Sequence, residues 1–257
     1  MLLPIIIAVC LAGSMLSVLA AAAYLLLPSR VRARTLESLV SFATGMLLGT
    51  AFLHLIPRAL EHEGAGGPEA VTATLLAAIC GFFLLEKGLI WRHHHHHGHD
   101  GHVAHEGTGR SGALILVGDS VHNFVDGVLI SAAFISDVRV GVVTAVAAIA
   151  HEIPQELGDF AILLNSGVPR RRAFLLNALT ALTTVAGALL AYVGMHGTSS
   201  ILPYVLGVAA ASFIYIAVAD LMPALNRRVG GRAALSQLLL LGAGIALTAL
   251  IASYHGE

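Results

Sequence analysis

Eight apolar stretches constrain this chain more than any other feature of its sequence. Each is long enough to cross a bilayer, which takes about 20 predominantly apolar residues. Of the 257 residues, 57% are hydrophobic and only 11% are charged, whereas an average soluble domain has about 25% charged residues. We therefore predict an all-α, polytopic membrane protein with a single transmembrane domain over residues 1–257. The predicted spans are 2–27, 35–60, 69–91, 111–135, 140–165, 171–195, 199–224 and 232–254.

Lysine and arginine are concentrated in alternate loops between these spans. Four loops carry three basic residues each, whereas the opposite loops carry only Arg58 and Arg139. The positive-inside rule places the basic loops in the cytoplasm. Both termini are then expected outside the cytoplasm, in agreement with an even number of spans. The basic loops hold Arg30, Arg32 and Arg34; Lys87, Arg92 and Arg110; Arg170, Arg171 and Arg172; and Arg227, Arg228 and Arg232.

The fourth apolar segment carries a polar stripe near its middle. Asp119, His122, Asn123 and Asp126 are spaced i, i+3, i+4 and i+7, so that they share one face of a helix. Groups of this kind cost several kcal/mol at the centre of a bilayer unless something compensates them, and they indicate a functional site. Hydrogen bonding between neighbouring helices is the alternative role of this stripe.

The fifth segment carries a second polar stripe. His151 and Gln155 are spaced i, i+4, as are Glu152 and Glu156, and Asp159 lies one turn further along. These five side chains span too wide an arc to bind one ion, so some of them must face another surface. We expect Glu156 and Asp159 to tune or gate the site, or to support neighbouring helices.

The donors of the two stripes favour a divalent metal ion held between them. An ion bound by His122, His151, Asp126 and Glu152 meets two neutral nitrogens and two negative charges, which balance a dication. Imidazole suits zinc, copper, iron and nickel, whereas calcium and magnesium prefer cages made of oxygen alone. The sequence therefore predicts an intramembrane site for a borderline metal such as Zn²⁺.

Catalysis is a weaker interpretation of the same residues. The segment from His151 to Gln155 reads HEIPQ and lacks the second histidine of the HExxH motif of zinc proteases. Cys10 and Cys80 are isolated in different segments, so the sequence predicts neither a disulfide framework nor a CxxC motif. An intramembrane metalloprotease is thus disfavoured, and we expect the chain not to be an enzyme.

A histidine-rich tract separates the third and fourth segments. Residues 93–105 read HHHHHGHDGHVAH, within a predicted cytoplasmic loop at 93–110. Neutral imidazoles bind zinc, nickel or copper, and a tract of this composition is expected to bind them loosely. We expect a loop that collects metal, and a flexible polar linker is the alternative. The eight histidines are His93, His94, His95, His96, His97, His99, His102 and His105.

Two other segments end in related motifs. The second ends with HLIP, from His54 to Pro57, and the seventh ends with DLMP, from Asp220 to Pro223. The predicted topology gives these two segments opposite orientations, as in transporters built from inverted repeats. We expect His54 near the outer mouth and Asp220 near the inner mouth of one path.

The motifs of this chain resemble those of the ZIP (zinc- and iron-regulated) transporter family. Residues 122–127, HNFVDG, match the fourth-helix HNxxDG of that family. Residues 151–160, HEIPQELGDF, resemble the fifth-helix HExPHExGDF of one branch. FLHLIP at 52–57 and FFLLEK at 82–87 extend the resemblance over nearly the whole chain. The resemblance implies uptake of Zn²⁺, together with Fe²⁺, Mn²⁺ or Cd²⁺, into the cytoplasm.

The resemblance also implies metal sites between the fourth and fifth helices. The first site would use His122, Asp126 and His151. The second would use Asn123, Asp126 and Glu152, so that one carboxylate is shared by the two sites.

Two positions depart from the pattern of the family. Gln155 stands where the branch has His and other members have Glu, and it offers only a weak amide oxygen. Thr184 stands where some members have an acid. Both departures favour one well-occupied metal, and Asp119 is expected to orient His122 as an outer partner.

The resemblance further implies a helical bundle that carries the site past a static frame, and pairing of two chains as a homodimer. The short loops resemble those of a bacterial inner-membrane protein. We expect divalent metal ions and the lipid bilayer as partners, and no nucleic acid. A sensor or buffer that binds metal at the membrane without moving it is the alternative function.

Overall fold

The computed structural model describes residues 2–61, 66–94, 107–195, 199–225 and 231–253. Every regular element within these ranges is helical, which confirms the all-α prediction. The elements form eight successive rods, one for each predicted span. They are α1 (Leu2–Tyr24), α2 (Ser29–Thr50, continued by Ala51–Leu55 and Ile56–Glu61), α3 (Pro68–His94), α4 (Gly107–Ser136), α5 (Val138–Asn165), α6 (Arg170–Ala181 and Thr183–Met195), α7 (Leu202–Tyr215, continued by Ile216–Leu221 and Met222–Leu225) and α8 (Gly231–Ser253).

Seven of the rods in the described ranges are long and apolar enough to cross a membrane. The exception is α5, which carries the polar stripe from His151 to Asp159 and has Pro154 within the helix. His151, Glu152 and Glu156 are buried by the surrounding helices, so the polar face of α5 is shielded by protein. The prediction of a polytopic membrane bundle is confirmed.

Local sequence explains where several helices begin and end. α2 begins at Ser29, earlier than the predicted residue 35, directly after the extended backbone of Pro28. α5 begins after Asp137, whose Oδ1 accepts a hydrogen bond from the backbone N–H of Arg139 at 2.8 Å. The turn from α5 to α6 uses Gly167 with φ 82°, a conformation that favours glycine.

The histidine-rich loop is shorter than predicted at both ends. α3 continues to His94 and α4 begins at Gly107, so the two ends of the predicted 93–110 loop are helical. Residues 95–106, which contain most of the tract, lie outside the described residues.

The eight helices pack as two groups of four. In the first group, α4 lies along α6 and α1 lies along α5. In the second group, α2 lies along α8 and α3 lies along α7. Contacts of α2 with α5 and of α4 with α7 join the groups, and the main apolar core, which includes Met46, Leu55, Phe134 and Phe213, lies where they meet.

Two glycines allow α4 and α6 to approach closely. A β-carbon on Gly127 would overlap the carbonyl of Thr184, and one on Gly187 would overlap the carbonyl of Phe124. Small residues at such positions let membrane helices pack with their backbones in contact. The approach brings Thr184 to the polar stripe of α4, where its Oγ1 donates a hydrogen bond to Asn123 Oδ1 at 3.1 Å.

α2 and α7 share a π-helical turn at the related motifs. His54 lies in the π-helical turn Ala51–Leu55, and Asp220 lies in Ile216–Leu221. In each turn, the backbone N–H of the residue before the proline donates a hydrogen bond to the carbonyl oxygen five residues earlier. Ile56 donates to Ala51, and Met222 donates to Ala217. The proline has no N–H and would clash with the carbonyl four residues before it, which explains the shifted ladder.

These shared turns agree with an internal repeat. The pair of α2 with α8 corresponds to the pair of α7 with α3, as expected if α1–α3 and α6–α8 are equivalent units. The two helices between the units, α4 and α5, carry the polar stripes.

Candidate metal centre

Three side chains converge where α4 meets α5. The Nε2 atom of His151 lies 3.2 Å from Asp126 Oδ2 and 3.1 Å from His122 Nε2. The third distance, from His122 Nε2 to Asp126 Oδ2, is 3.8 Å. Ligands of a tetrahedral zinc ion, each about 2.0–2.2 Å from the metal, are about 3.3–3.6 Å apart. The three distances bracket that spacing, so these three atoms could bind one ion together. We call the group of His122, Asp126 and His151 the triad.

A hydrogen bond on the side of the ring away from the triad orients the imidazole of His151. Its Nδ1 lies 3.1 Å from the carbonyl oxygen of Ala147, one turn earlier in α5. Because a carbonyl only accepts, Nδ1 carries the proton and Nε2 presents a lone pair to the triad. Phe213 of α7 covers the ring, with the two ring centroids 5.9 Å apart. This imidazole is therefore held in the tautomer and orientation that a metal requires.

The carboxylate of Asp126 is the negatively charged member of the triad. Its side chain is 0% exposed, and neither oxygen accepts a hydrogen bond within the described part of the chain. A buried carboxylate without donors is strongly unfavourable unless a cation balances it. The chemistry of this group therefore fits a bound dication.

The amides of Asn123 and Gln155 are tied to Asp119. Asn123 Nδ2 and Gln155 Nε2 donate to the same oxygen, Asp119 Oδ1, at 2.8 and 3.4 Å. Asn123 Oδ1 accepts from Thr184, so both polar atoms of this amide already have partners. Asp119 Oδ1 thus accepts hydrogen bonds from both amides, and its predicted role as an outer partner of His122 stays a prediction.

Glu152 faces α1 and lies apart from the triad. Its Oε2 accepts a hydrogen bond from Ser17 Oγ at 2.8 Å, and the residue is 5% exposed. Sequence reasoning did not single out Ser17. The signal was present, because Ser14 and Ser17 are polar positions one turn apart in an otherwise apolar segment.

Glu156 and Asp159 follow on α5, further along the helix than the triad. Glu156 is buried, and its Oε2 has no hydrogen-bond partner in the described ranges. Asp159 is half-buried. Buried Asn177 and Thr180 of α6 were also not singled out from the sequence. These side chains lie outside the set of donor atoms that converge at the triad.

A cavity of about 430 Å³ leads away from the triad. It lies between α3, α4 and α7, with His122 and Asp220 in its lining and mostly apolar side chains between them. The side chain of His122 is 22% exposed, whereas that of His151 is 1% exposed. His54 is half-buried on α2, with Nε2 3.2 Å from the carbonyl oxygen of Thr248 on α8.

Membrane-length helices around a buried imidazole–carboxylate triad define an integral membrane protein with a candidate intramembrane metal site. Comparison with known families agrees with this class. The family model described as "ZIP Zinc transporter" matches residues 2–112 and 90–252. The chain belongs to the ZIP zinc transporter family, as the motifs predicted, and it is a transporter rather than an enzyme.

Curated zinc transporters are similar over most of this chain. It is 34% identical over 242 residues to zinc transporter ZIP13 of Pongo abelii, covering 89% of this chain and 70% of that protein. It is 34% identical over 257 residues to zinc transporter ZIP4 of Rattus norvegicus, covering 74% of this chain and 38% of that protein. It is 31% identical over 312 residues to zinc transporter SLC39A7 of Rattus norvegicus, covering 84% of this chain and 65% of that protein. The chain thus spans only part of the length of ZIP4 and SLC39A7.

Proposed function

We propose that this protein transports divalent metal ions, chiefly Zn²⁺, into the cytoplasm through the site between α4 and α5. The observation that carries the proposal is the triad, whose donor atoms lie 3.1–3.8 Å apart inside the bundle. Membership of a zinc transporter family and similarity to zinc transporters support both the substrate and its movement. Fe²⁺, Mn²⁺ and Cd²⁺ are further candidate substrates, because imidazole and carboxylate together accept them.

We infer that the triad supplies three protein ligands and leaves one position open. An open position suits an ion that must be exchanged during transport, as it does for metals that exchange a bound water. The carbonyl oxygen of Gln155 is the candidate fourth ligand. Asn123 and Glu152 would become ligands only after exchanging their present partners, Thr184 and Ser17.

The proposed path runs from His54 past the triad to Asp220. Loops rich in Lys and Arg are assigned to the cytoplasm, which puts both termini outside and Asp220 toward the cytoplasm. The cavity between His122 and Asp220 supports release of the ion on that side in the present conformation. The burial of Asp126 and His151 supports a site closed from the opposite side.

We further propose that the helices which carry or contact the site, α1, α4, α5 and α6, move as one group within a single transmembrane domain. The group of α2, α3, α7 and α8 would be the frame. The separate packing of the two groups supports this division. Pairing as a homodimer, insertion in a bacterial inner membrane and collection of metal by the histidine tract belong to the same proposal.

Zinc uptake into sealed proteoliposomes tests the function. We expect radiolabelled zinc to accumulate with the wild type and to fall to the level of empty vesicles with His151→Ala, which removes the best-oriented ligand. Competition by unlabelled Fe²⁺, Mn²⁺ and Cd²⁺ then ranks the substrates. A sensor or buffer would bind zinc without accumulating it, and that result would refute transport.

A further inference from the structure

An arginine near the end of α2 binds the last residue of α4. Arg58 Nε donates a hydrogen bond to Ser136 Oγ at 3.0 Å, and Arg58 Nη2 donates to the carbonyl oxygen of Ser136, also at 3.0 Å. The final four carbonyls of a helix have no partner within it. The guanidinium thus satisfies one of these carbonyls and places its positive charge at the negative end of the helix dipole. We call this pair of hydrogen bonds the outer latch.

The outer latch joins the two groups of helices. α2 belongs to the group proposed as the frame, whereas α4 carries the triad together with α5. The assignment of the basic loops to the cytoplasm puts Arg58 and Ser136 at the outer ends of their helices. The cavity lined by His122 and Asp220 lies toward the opposite end of α4. The latch therefore connects the two groups on the side where the triad is closed.

An ion pair on α2 holds the guanidinium in this position. Arg58 Nη1 lies 3.4 Å from Glu61 Oε2, one turn further along the chain. The side chain of Arg58 is 34% exposed and that of Glu61 is 66% exposed, so the pair contributes little stability by itself. Its effect is to orient the planar guanidinium so that Nε and Nη2 face Ser136.

Two buried hydroxyls on the outer side of the triad have no partner. Thr144 is seven residues before His151, so it shares the face of α5 that carries this ligand and lies about 10 Å further out. Thr50 is eight residues before Arg58 on α2. Both threonines are 0% exposed, and neither Oγ1 forms a hydrogen bond within the described part of the chain, unlike that of Thr44, which donates to a carbonyl of its own helix at 2.7 Å. Because a buried hydroxyl without a partner is unfavourable, we infer that water or an ion meets these groups in another conformation.

We propose that the outer latch is the gate of the entry route: it holds the mouth between α2 and α4 closed, and Thr144 lines the route that opens when it breaks. The proposal deepens the proposed function and rests on it for the existence of a state open to the outside. Opening releases the donors of Arg58 to water, and the hydroxyl of Thr144 then gains the partner that it lacks in the closed bundle. The latched guanidinium also repels dications at the mouth, so their entry requires the arginine to move away.

Thiol labelling from the outside tests the gate. The chain has two cysteines, so Cys10→Ala/Cys80→Ala provides a cysteine-free background. Thr144→Cys is added to this background, and intact cells that express the protein are treated with a membrane-impermeant methanethiosulfonate reagent. Because residue 144 is 0% exposed while the latch is closed, the labelling rate reports the fraction of molecules in which the route is open.

Replacing Arg58 should shift this fraction. We expect Arg58→Gln to raise the labelling rate of Thr144→Cys about tenfold, which corresponds to about 1.4 kcal/mol, roughly the contribution of one hydrogen bond to a charged group. Arg58→Lys keeps the charge but lacks the planar fork that makes both bonds, so it should give an intermediate rate. Arg139→Gln is the matched control, because it removes the other basic residue of the outer loops, which is exposed, and should leave the rate unchanged.

Val138→Cys is the reference for orientation, because this position at the outer end of α5 is 52% exposed. It should be labelled at the same rate with Arg58 as with Arg58→Gln. Equal labelling of Thr144→Cys in both backgrounds, or none in either, would overturn the gate. Failure of Val138→Cys to react would overturn the gate and the assigned orientation together. Zinc uptake into proteoliposomes tests the proposed function separately, since thiol labelling requires no metal.

Discussion

The buried charge of Asp126 is the feature of the triad that most requires a bound cation. Two neutral imidazoles and one carboxylate leave a net negative charge, and no donor within the described residues bonds to the carboxylate. In a medium of low dielectric constant, the electrostatic attraction between a cation and this carboxylate is far stronger than it would be in water. The ion is therefore expected to be held mainly by Asp126 and directed by His122 and His151.

Replacing Asp126 with alanine tests the role of this charge. We expect Asp126→Ala to lower the initial rate of zinc uptake by at least about 100-fold, the upper end of the effect of outer partners, because it removes a ligand. The measurement is radiolabelled uptake into proteoliposomes that contain equal amounts of protein. Glu69→Ala, which removes an exposed carboxylate from the first turn of α3, is the control. Equal uptake by the two variants would contradict the proposed site.

The two imidazoles make metal binding sensitive to pH. Metal binds the neutral ring, so protons compete with it, and zinc affinity is expected to fall as the pH is lowered from about 7.5 to about 5.5. Calorimetric titration of a variant lacking residues 93–105 avoids the contribution of the histidine tract. An affinity that stays constant over this range would exclude imidazole ligation.

The packing of α4 against α6 connects the site to the rest of its helical group. Gly127 and Gly187 place backbone against backbone, and this contact aligns Thr184 with Asn123. α2 and α7 differ in having irregular backbone, because their prolines shift the backbone hydrogen bonds at His54 and Asp220. Irregular backbone in membrane helices is tolerated where it faces protein or a water-filled path.

Gly187→Ala tests the close contact of α4 and α6. We expect it to destabilise the protein by about 1–3 kcal/mol, the usual effect of overpacking, and to lower zinc uptake by displacing Phe124 and its neighbour Asn123. Thermal unfolding in detergent and uptake are measured on the same preparation. Gly194→Ala in the same helix is the matched control, since a β-carbon there meets nothing within 4 Å. Similar effects of the two variants would show that helix propensity, rather than the contact, decides the outcome.

The division of the molecule into two helical groups would allow the proposed site to move as one unit with α4 and α5. The triad lies entirely on α4 and α5, whereas the cavity beside it is completed by α3 and α7 of the other group. A displacement of one group against the other would therefore change access to the ion without changing its ligands. The histidine tract joins the groups, because it lies between α3 and α4.

Deleting residues 93–105 tests whether the tract belongs to the path itself. We expect basal zinc uptake to persist, because the triad and the cavity leading to Asp220 are built from other residues. Uptake at low zinc concentration should decrease if the tract collects metal. Complete loss of uptake in a correctly folded deletion variant would assign the tract to the path.

The sequence alone determined the helices, the polar stripes and the family. Apolar segments of membrane length leave the backbone few alternatives to a helix, and spacings of three and four residues place His122 beside Asp126 whatever surrounds them. Only the tertiary structure decided which neighbours these faces meet. Glu152 turns to Ser17 of α1, and Asp119 binds the amides of Asn123 and Gln155. Periodicity determines the direction of a side chain from its own helix, whereas its partners depend on how closely separate helices approach.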